Sequence, residues 1–186
     1  MYKDGCFYTS SETGLGTLSH EFMHAVFHYT NAKLDPWAHE GLPAFFEKMY
    51  GYCEKGQVYF ITGFQNPWRI KALGQNLKNL SLEEIVNSSK NQNELRLVSV
   101  FLYKKGYLKR FLDISRTGNK GNFNTCFEAA FGRDIRSLEP VWKEYLKDIV
   151  AKHSLINQIP GSQFFSSKAK FDSFMQDNGE VLRGLM

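Results

Sequence analysis

His20-Glu21-Phe22-Met23-His24 constrains this chain more than any other stretch, because it is an HExxH sequence set in a helical run. Four residues along an α-helix advance about 6 Å and return the side chain to nearly the same face. Both imidazoles can therefore point at one ion, and Zn²⁺ takes histidine nitrogens at about 2.0–2.1 Å. Glu21 lies beside the first histidine, where it reaches a water on the metal rather than the metal itself. Two ligands and a base thus fall within one short motif.

A hydrolytic zinc site needs three protein ligands and one open position. Metzincins supply the third ligand in HExxHxxGxxH, but this chain has Phe27 and Thr30 where the glycine and histidine would fall, which excludes that class. Downstream runs Asp35-Pro36-Trp37-Ala38-His39-Glu40-Gly41-Leu42-Pro43-Ala44-Phe45-Phe46-Glu47. Glu40 follows His24 by sixteen residues, room for the first helix to end and for the chain to turn at Thr30-Asn31-Ala32-Lys33. A second helix then carries the glutamate back. Asp35-Pro36 is an N-cap followed by proline at the first helical position. His39 is the competing ligand, leaving the helix about 100° around the axis from Glu40. His28 continues the four-residue series but lies a further turn along, which suits a solvated or supporting residue.

HEFMH followed by WAHEGLPAFFE resembles the gluzincins, metallopeptidases in which a glutamate on the second helix completes the zinc site, and among them the peptidase MA-like bacterial members. The resemblance implies His20, His24 and Glu40 on Zn²⁺, with Glu40 preferred to His39, and Glu21 as general base. It covers about residues 5–150 and is dense around the motif. Near its end, Phe127-Glu128-Ala129-Ala130-Phe131-Gly132, a polar turn and a helix with Trp142, Tyr145 and Leu146 are similar to the close of peptidase MA-like domains. Thermolysin-like members carry an aspartate four residues after the ligand glutamate. This chain has Ala44 there, so orienting a histidine falls to Asp35, Glu47 or a backbone carbonyl. Gluzincins also use a Tyr or His to hydrogen-bond the tetrahedral intermediate. Tyr103 and Tyr107 are the candidates, with Tyr59 a third.

The implied fold is α+β and mostly α: a zincin-like metallopeptidase domain with a reduced N-terminal β part over residues 1–153, then a tail over 154–186 that is packed back or disordered. The implied function is a zinc-dependent peptidase that hydrolyses peptide or protein substrates through a metal-activated water, with Glu21 as general base. The alternative is a catalytically inactive zincin-like binding module or a fragment of a larger protein. The short stretch before His20, and Pro43 beside Glu40, favour that alternative.

A hydrophobic content of 42%, with 16 Phe and 9 Tyr in 186 residues, supports one domain with an aromatic core. The net charge of +4 is scattered, and no basic run argues for nucleic acid. Lys104-Lys105 with Lys109-Arg110 reads as the wet face of two helices. Three widely spaced cysteines suggest neither a disulfide framework nor a cysteine zinc site. No stretch reaches the roughly 18 apolar residues of a membrane helix, and no signal peptide is seen. The compartment stays open, a secreted or cell-envelope location being compatible with a truncated chain.

Periodicity predicts an active-site helix to about Tyr29, capped by Thr13 or Thr17 and burying Leu18, Phe22, Ala25, Val26 and Tyr29. A helix carrying Glu40 is expected to run to about Tyr50, interrupted or started late because of Pro43. Gly5–Thr9 reads as β-prone and 57–62 as a strand or extended connection. Further helices are expected after Asn66-Pro67, after the capping box at Ser81, over 95–105 and 107–116, before Gly132, and from Ser137 to about Val150.

Overall fold

The computed structural model describes residues 2–3, 6–7, 14–30, 34, 36–116, 123–183 and 185. The expected turn at 31–33 and the candidate caps Thr13 and Asp35 lie outside them. Two short antiparallel strands, β1 (Tyr2–Lys3) and β2 (Cys6–Phe7), pack against α1 (Gly14–Tyr29). Next comes α2 (Pro36–Phe45), which opens on proline as expected.

Pro43 lies inside α2 and cannot donate to the His39 carbonyl. The helix closes two residues later, its end tightened by bonds from Phe46 N to Pro43 O at 3.2 Å and from Glu47 N to Ala44 O at 3.3 Å. The expected continuation to Tyr50 therefore fails. Instead β3 (Met49–Glu54) begins, an aromatic, β-prone run paired antiparallel with β4 (Gln57–Thr62). Lys55 and Gly56 join them with φ of 52° and 76°, the two positive values that a tight two-residue hairpin requires.

The helices that follow are α3 (Pro67–Leu73), α4 (Leu82–Ser88), α5 (Gln92–Lys104), α6 (Leu108–Arg116), α7 (Phe123–Phe131), α8 (Glu139–Ala151) and the short α9 (His153–Ile156). Asn66 and Ser81 cap α3 and α4 from their side chains, as the sequence indicates. Before α8 the polar turn differs from expectation. Asp134, not Ser137, supplies the side-chain cap, and a single 3₁₀ turn (Ile135–Leu138) precedes a helix that starts at Glu139-Pro140.

The chain's C-terminal segment packs back onto the domain. Strand β5 (Gln163–Phe165) joins β3 in parallel, giving a sheet in the order β4-β3-β5. Behind it, α10 (Lys168–Asp177) sets Phe174 against Tyr50 and Phe171 against Tyr52, with ring centroids 5.2 and 5.3 Å apart. Helix α11 (Gly179–Arg183) follows, and Leu182 and Leu185 are buried in the main core. The architecture is thus α+β and mostly helical. No helix among the described residues is long and apolar enough to cross a membrane.

Helix α5 is the spine of the core, with Leu95, Leu97, Val98, Phe101 and Leu102 all buried. Helix α2 lies directly on it at Gly41, where a Cβ would stand 2.8 Å from Ser99 Oγ and 2.9 Å from Leu95 O. On the other side, α1 packs on α2 with His20 and His24 facing Glu40, and Ala25 and His20 are buried. The apolar stripe expected to be buried on α1 is instead largely open: Leu18 is 42%, Phe22 55% and Tyr29 73% exposed. The side facing α2 is the histidine side, so Leu18 and Phe22 point the other way, into a groove of about 370 Å³ shared with Phe46, Phe60 and Phe164.

Alanine for glycine inside a helix ordinarily stabilises by about 1 kcal/mol. At Gly41 the added methyl meets backbone, so Gly41→Ala should lower stability by about 1–3 kcal/mol, as overpacking does. The midpoint of urea unfolding reads the sign directly.

Candidate metal centre

Helical periodicity does what the motif requires: His20 and His24 leave α1 on one face, and their Nε2 atoms stand 3.1 Å apart. Glu40 approaches from α2, with Oε2 3.9 Å from His20 Nε2 and 3.7 Å from His24 Nε2. Ligands at about 2.0–2.1 Å from a tetrahedral Zn²⁺ are separated by about 3.3 Å. The His20–His24 edge is slightly shorter than that, and the two edges to Glu40, at 3.9 and 3.7 Å, are longer. Among the described residues this is the one group of three histidine, cysteine or acidic side chains with such geometry.

The outer nitrogen of His20 decides how the ring is used. His20 Nδ1 lies 3.1 Å from Glu47 Oε1. A carboxylate there takes the N–H, which leaves the Nε2 lone pair facing inward towards His24 and Glu40. Glu47 is one of the three orienting groups that the sequence leaves open once Ala44 replaces the aspartate, and the turn after Pro43 brings it under α1.

Glu47 is buried, and burial alone would raise its pKa. Hydrogen bonds from Arg69 and His20, with the nearby charges of Arg96 and Arg69, outweigh that cost and bring it down from 4.5 to about 2. Arg69 grips both carboxylate oxygens, Nε to Oε2 at 2.7 Å and Nη2 to Oε1. Asn66, read from sequence only as a helix cap, caps α3 through Oδ1 and donates from Nδ2 to Glu47 Oε2 at 3.0 Å. For His24, burial lowers the pKa, while the Glu40 and Glu21 carboxylates pull the other way.

The other sequence candidates fall in three places. Glu21 is half-buried and close enough for its charge to act on His24. His39, the rival ligand, is turned outward with its side chain 54% exposed, its ring centroid 5.2 Å from that of His24. It is not in the ligand triangle. Tyr103 and Tyr107 are not brought to the cluster. Tyr103 packs on Phe45 and over Gly63 at the far end of α5, about 16 Å along the helix from Gln92. Tyr107 sits between Phe127 and Phe131 and accepts a hydrogen bond from Arg133 at 2.5 Å. Tyr59 is on the exposed hairpin, stacked on Tyr52.

Sequence reasoning missed Arg69 and Gln92. Gln92, at the start of α5, donates from Nε2 to Glu40 Oε2 at 2.8 Å. Neither carries a local signal: each is one polar residue in the first turn of a helix, and only the tertiary fold aims it.

Comparison with known proteins adds nothing to this geometry: no protein-family model, curated protein or solved structure matches the chain.

Because the Glu47 carboxyl is more acidic folded than unfolded, its contribution to stability is complete above about pH 4.5 and is lost as the pH falls towards 2. Metal-free protein should therefore lose stability steeply across that window. In Glu47→Gln the loss should be shallower, from a baseline about 3–5 kcal/mol lower because Arg69 is left without its buried partner. Urea titrations at a series of pH values test both.

Proposed function

We propose that the protein is a zinc-dependent peptidase of the zincin-like, gluzincin type. The observation that carries the reading is the convergence of His20 Nε2, His24 Nε2 and Glu40 Oε2 on one point, with the His20 proton committed to Glu47 on the far side. Two imidazole lone pairs aimed at each other across 3.1 Å are repulsive unless a proton or a cation lies between them. An adjacent carboxylate makes a divalent cation the better occupant.

Bound zinc would supply Lewis acidity to a peptide carbonyl and to a water. The remaining work falls to the chain itself. His20 and His24 are held rigidly by helix packing, and Glu40 is oriented by Gln92, so the three donors are preorganised. Glu21, one residue on from His20, accepts the proton of the attacking water and returns it to the leaving amine nitrogen. His39 stands on the open side of His24 and Glu40, where an imidazole N–H can donate to the oxygen that gains negative charge. It takes the role that the sequence assigned to Tyr103 or Tyr107. Glu40 at 35% exposure and His39 at 54% mark the side from which a peptide approaches.

The test is metal content and turnover of a fluorogenic peptide library, measured on the same preparations. Wild type should hold about one zinc per chain and cleave, and Glu40→Ala should lose the metal. Glu21→Gln should keep the zinc and lose about 10²–10⁴-fold in rate. His39→Ala should keep zinc and lose kcat rather than affinity for peptide. Zinc with no cleavage in any condition would turn the reading to a zincin-like binding module, and an unchanged rate in Glu21→Gln would remove Glu21 as the base.

A further inference from the structure

Arg69 touches none of the three candidate ligands, yet it holds the partners of two. Its Nε and Nη2 grip Glu47, whose Oε1 also meets His20 Nδ1. The same Nη2 donates to Gln92 Oε1 at 3.3 Å, and Nη1 donates to Asn93 Oδ1 at 2.9 Å. Gln92 in turn reaches Glu40 through Nε2 at 2.8 Å. The bonds run from His20 through Glu47, Arg69 and Gln92 to Glu40, and the two ends of that path meet again at 3.9 Å inside the triangle.

Resting on the metal reading above, we propose that Arg69 is the positioning residue of the centre. One buried guanidinium sets the spacing between a histidine ligand from α1 and a glutamate ligand from α2 by holding each from its outer side. Three features of the geometry carry this. First, the fork is used as a fork: one edge grips a carboxylate bidentately while Nη2 also reaches an amide, which a lysine ammonium cannot copy. Second, the guanidinium dictates the orientation of the Gln92 amide. Its carbonyl must face the N–H donors, so its NH₂ is left for the Glu40 carboxylate, whereas the flipped amide would set N–H against N–H. Third, Arg69 is buried on α3, and α3 packs on α5, so the hub belongs to the rigid body of the fold. Arg69 thereby links α1, α2, α5 and the turn after α2, four segments whose relative placement the triangle depends on.

Partners of this kind typically carry 10–100-fold in metal affinity. The experiment is zinc affinity of the full chain by competition with a chromophoric chelator, for wild type, Arg69→Lys, Gln92→Leu, Asn93→Ala and the Arg69→Lys/Gln92→Leu double variant. Melting temperatures of the metal-free forms are recorded alongside. Arg69→Lys and Gln92→Leu should each weaken zinc binding by about 10-fold or more, and Asn93→Ala, which touches Arg69 but no ligand partner, by less than about 3-fold. The double variant should be less than multiplicative, because part of the Arg69 effect passes through Gln92. If Arg69 is merely structural, its variant lowers the metal-free melting temperature while zinc affinity is unchanged or multiplies independently with Gln92→Leu, and the proposal is overturned. Gln92 is exposed, so Gln92→Leu is expected to fold even if Arg69→Lys does not, and an unchanged affinity there also overturns the proposal. A wild type that takes up no zinc overturns the metal reading and this proposal together, which distinguishes the two failures.

Discussion

A carboxylate buried beneath a helix and gripped by a guanidinium is the interaction on which the rest of this structure depends. Glu47 lies under α1 with Arg69 bound to both its oxygens and the charge of Arg96 close by. Removing such a charge from water costs several kcal/mol, and only a partner set this complete offsets it. That requirement reaches back into the backbone. Were α2 to continue, Glu47 would fall seven residues beyond Glu40, on nearly the same face and about 10 Å farther along the axis. The two carboxylates instead flank a single imidazole, Glu40 on its Nε2 side and Glu47 on its Nδ1 side. Pro43 ends the helix at the point where this becomes geometrically feasible, and Phe46 to Lys48 make the turn before β3. What looks like a defect in the helix that bears Glu40 is the element that lets the Glu47 carboxylate reach its place.

The legible part of the molecule was the part written in local chemistry. The HExxH spacing places two nitrogens on one helical face because 3.6 residues per turn leaves no alternative. Asn66-Pro67 and the Ser81 box named their helix starts for the same reason, since caps satisfy orphan N–H groups within four residues. Three kinds of fact were not legible. The end of α2 at Phe45 depended on a competition between helix periodicity and a β-hairpin whose signal, Lys55-Gly56, is weak in sequence. The exposure of Leu18 and Phe22 depended on which side of α1 its neighbours occupy. Arg69 and Gln92 act across 22 and 52 residues of sequence, on Glu47 and Glu40 respectively, and pairing at that range is set by the packing of α3 and α5.

The same distinction explains why tyrosine was a poor guide. Among the described tyrosines, Tyr50 and Tyr145 are buried in the core while Tyr29, Tyr59 and Tyr103 are exposed, so residue type alone marks no site. Tyr103 packs on Phe45 while remaining half-exposed, and Tyr107 packs on Phe127 and Phe131. Histidine gives the better signal near a carboxylate: all three imidazoles closest to Glu40, those of His20, His24 and His39, come from the two helices that carry the motif.

Charge distribution makes a separate argument for a cation at the triangle. The carboxylates of Glu21 and Glu40 lie on the His24 side, and Glu47 lies behind His20. Against these three negative charges stand three positive ones, Arg69, Arg96 and Lys48, each acting on Glu47. Arg96 is buried, with Phe64 O as its acceptor. The guanidiniums therefore neutralise the inner carboxylate and leave the outer two facing the imidazole lone pairs. The field is layered: positive behind, negative in front, with the imidazole nitrogens between. An anion would be repelled at the front and a monovalent cation would leave negative charge over, whereas a divalent ion would be attracted by both carboxylates and would find two nitrogen donors. Geometry and electrostatics both support the proposed occupant, a divalent cation.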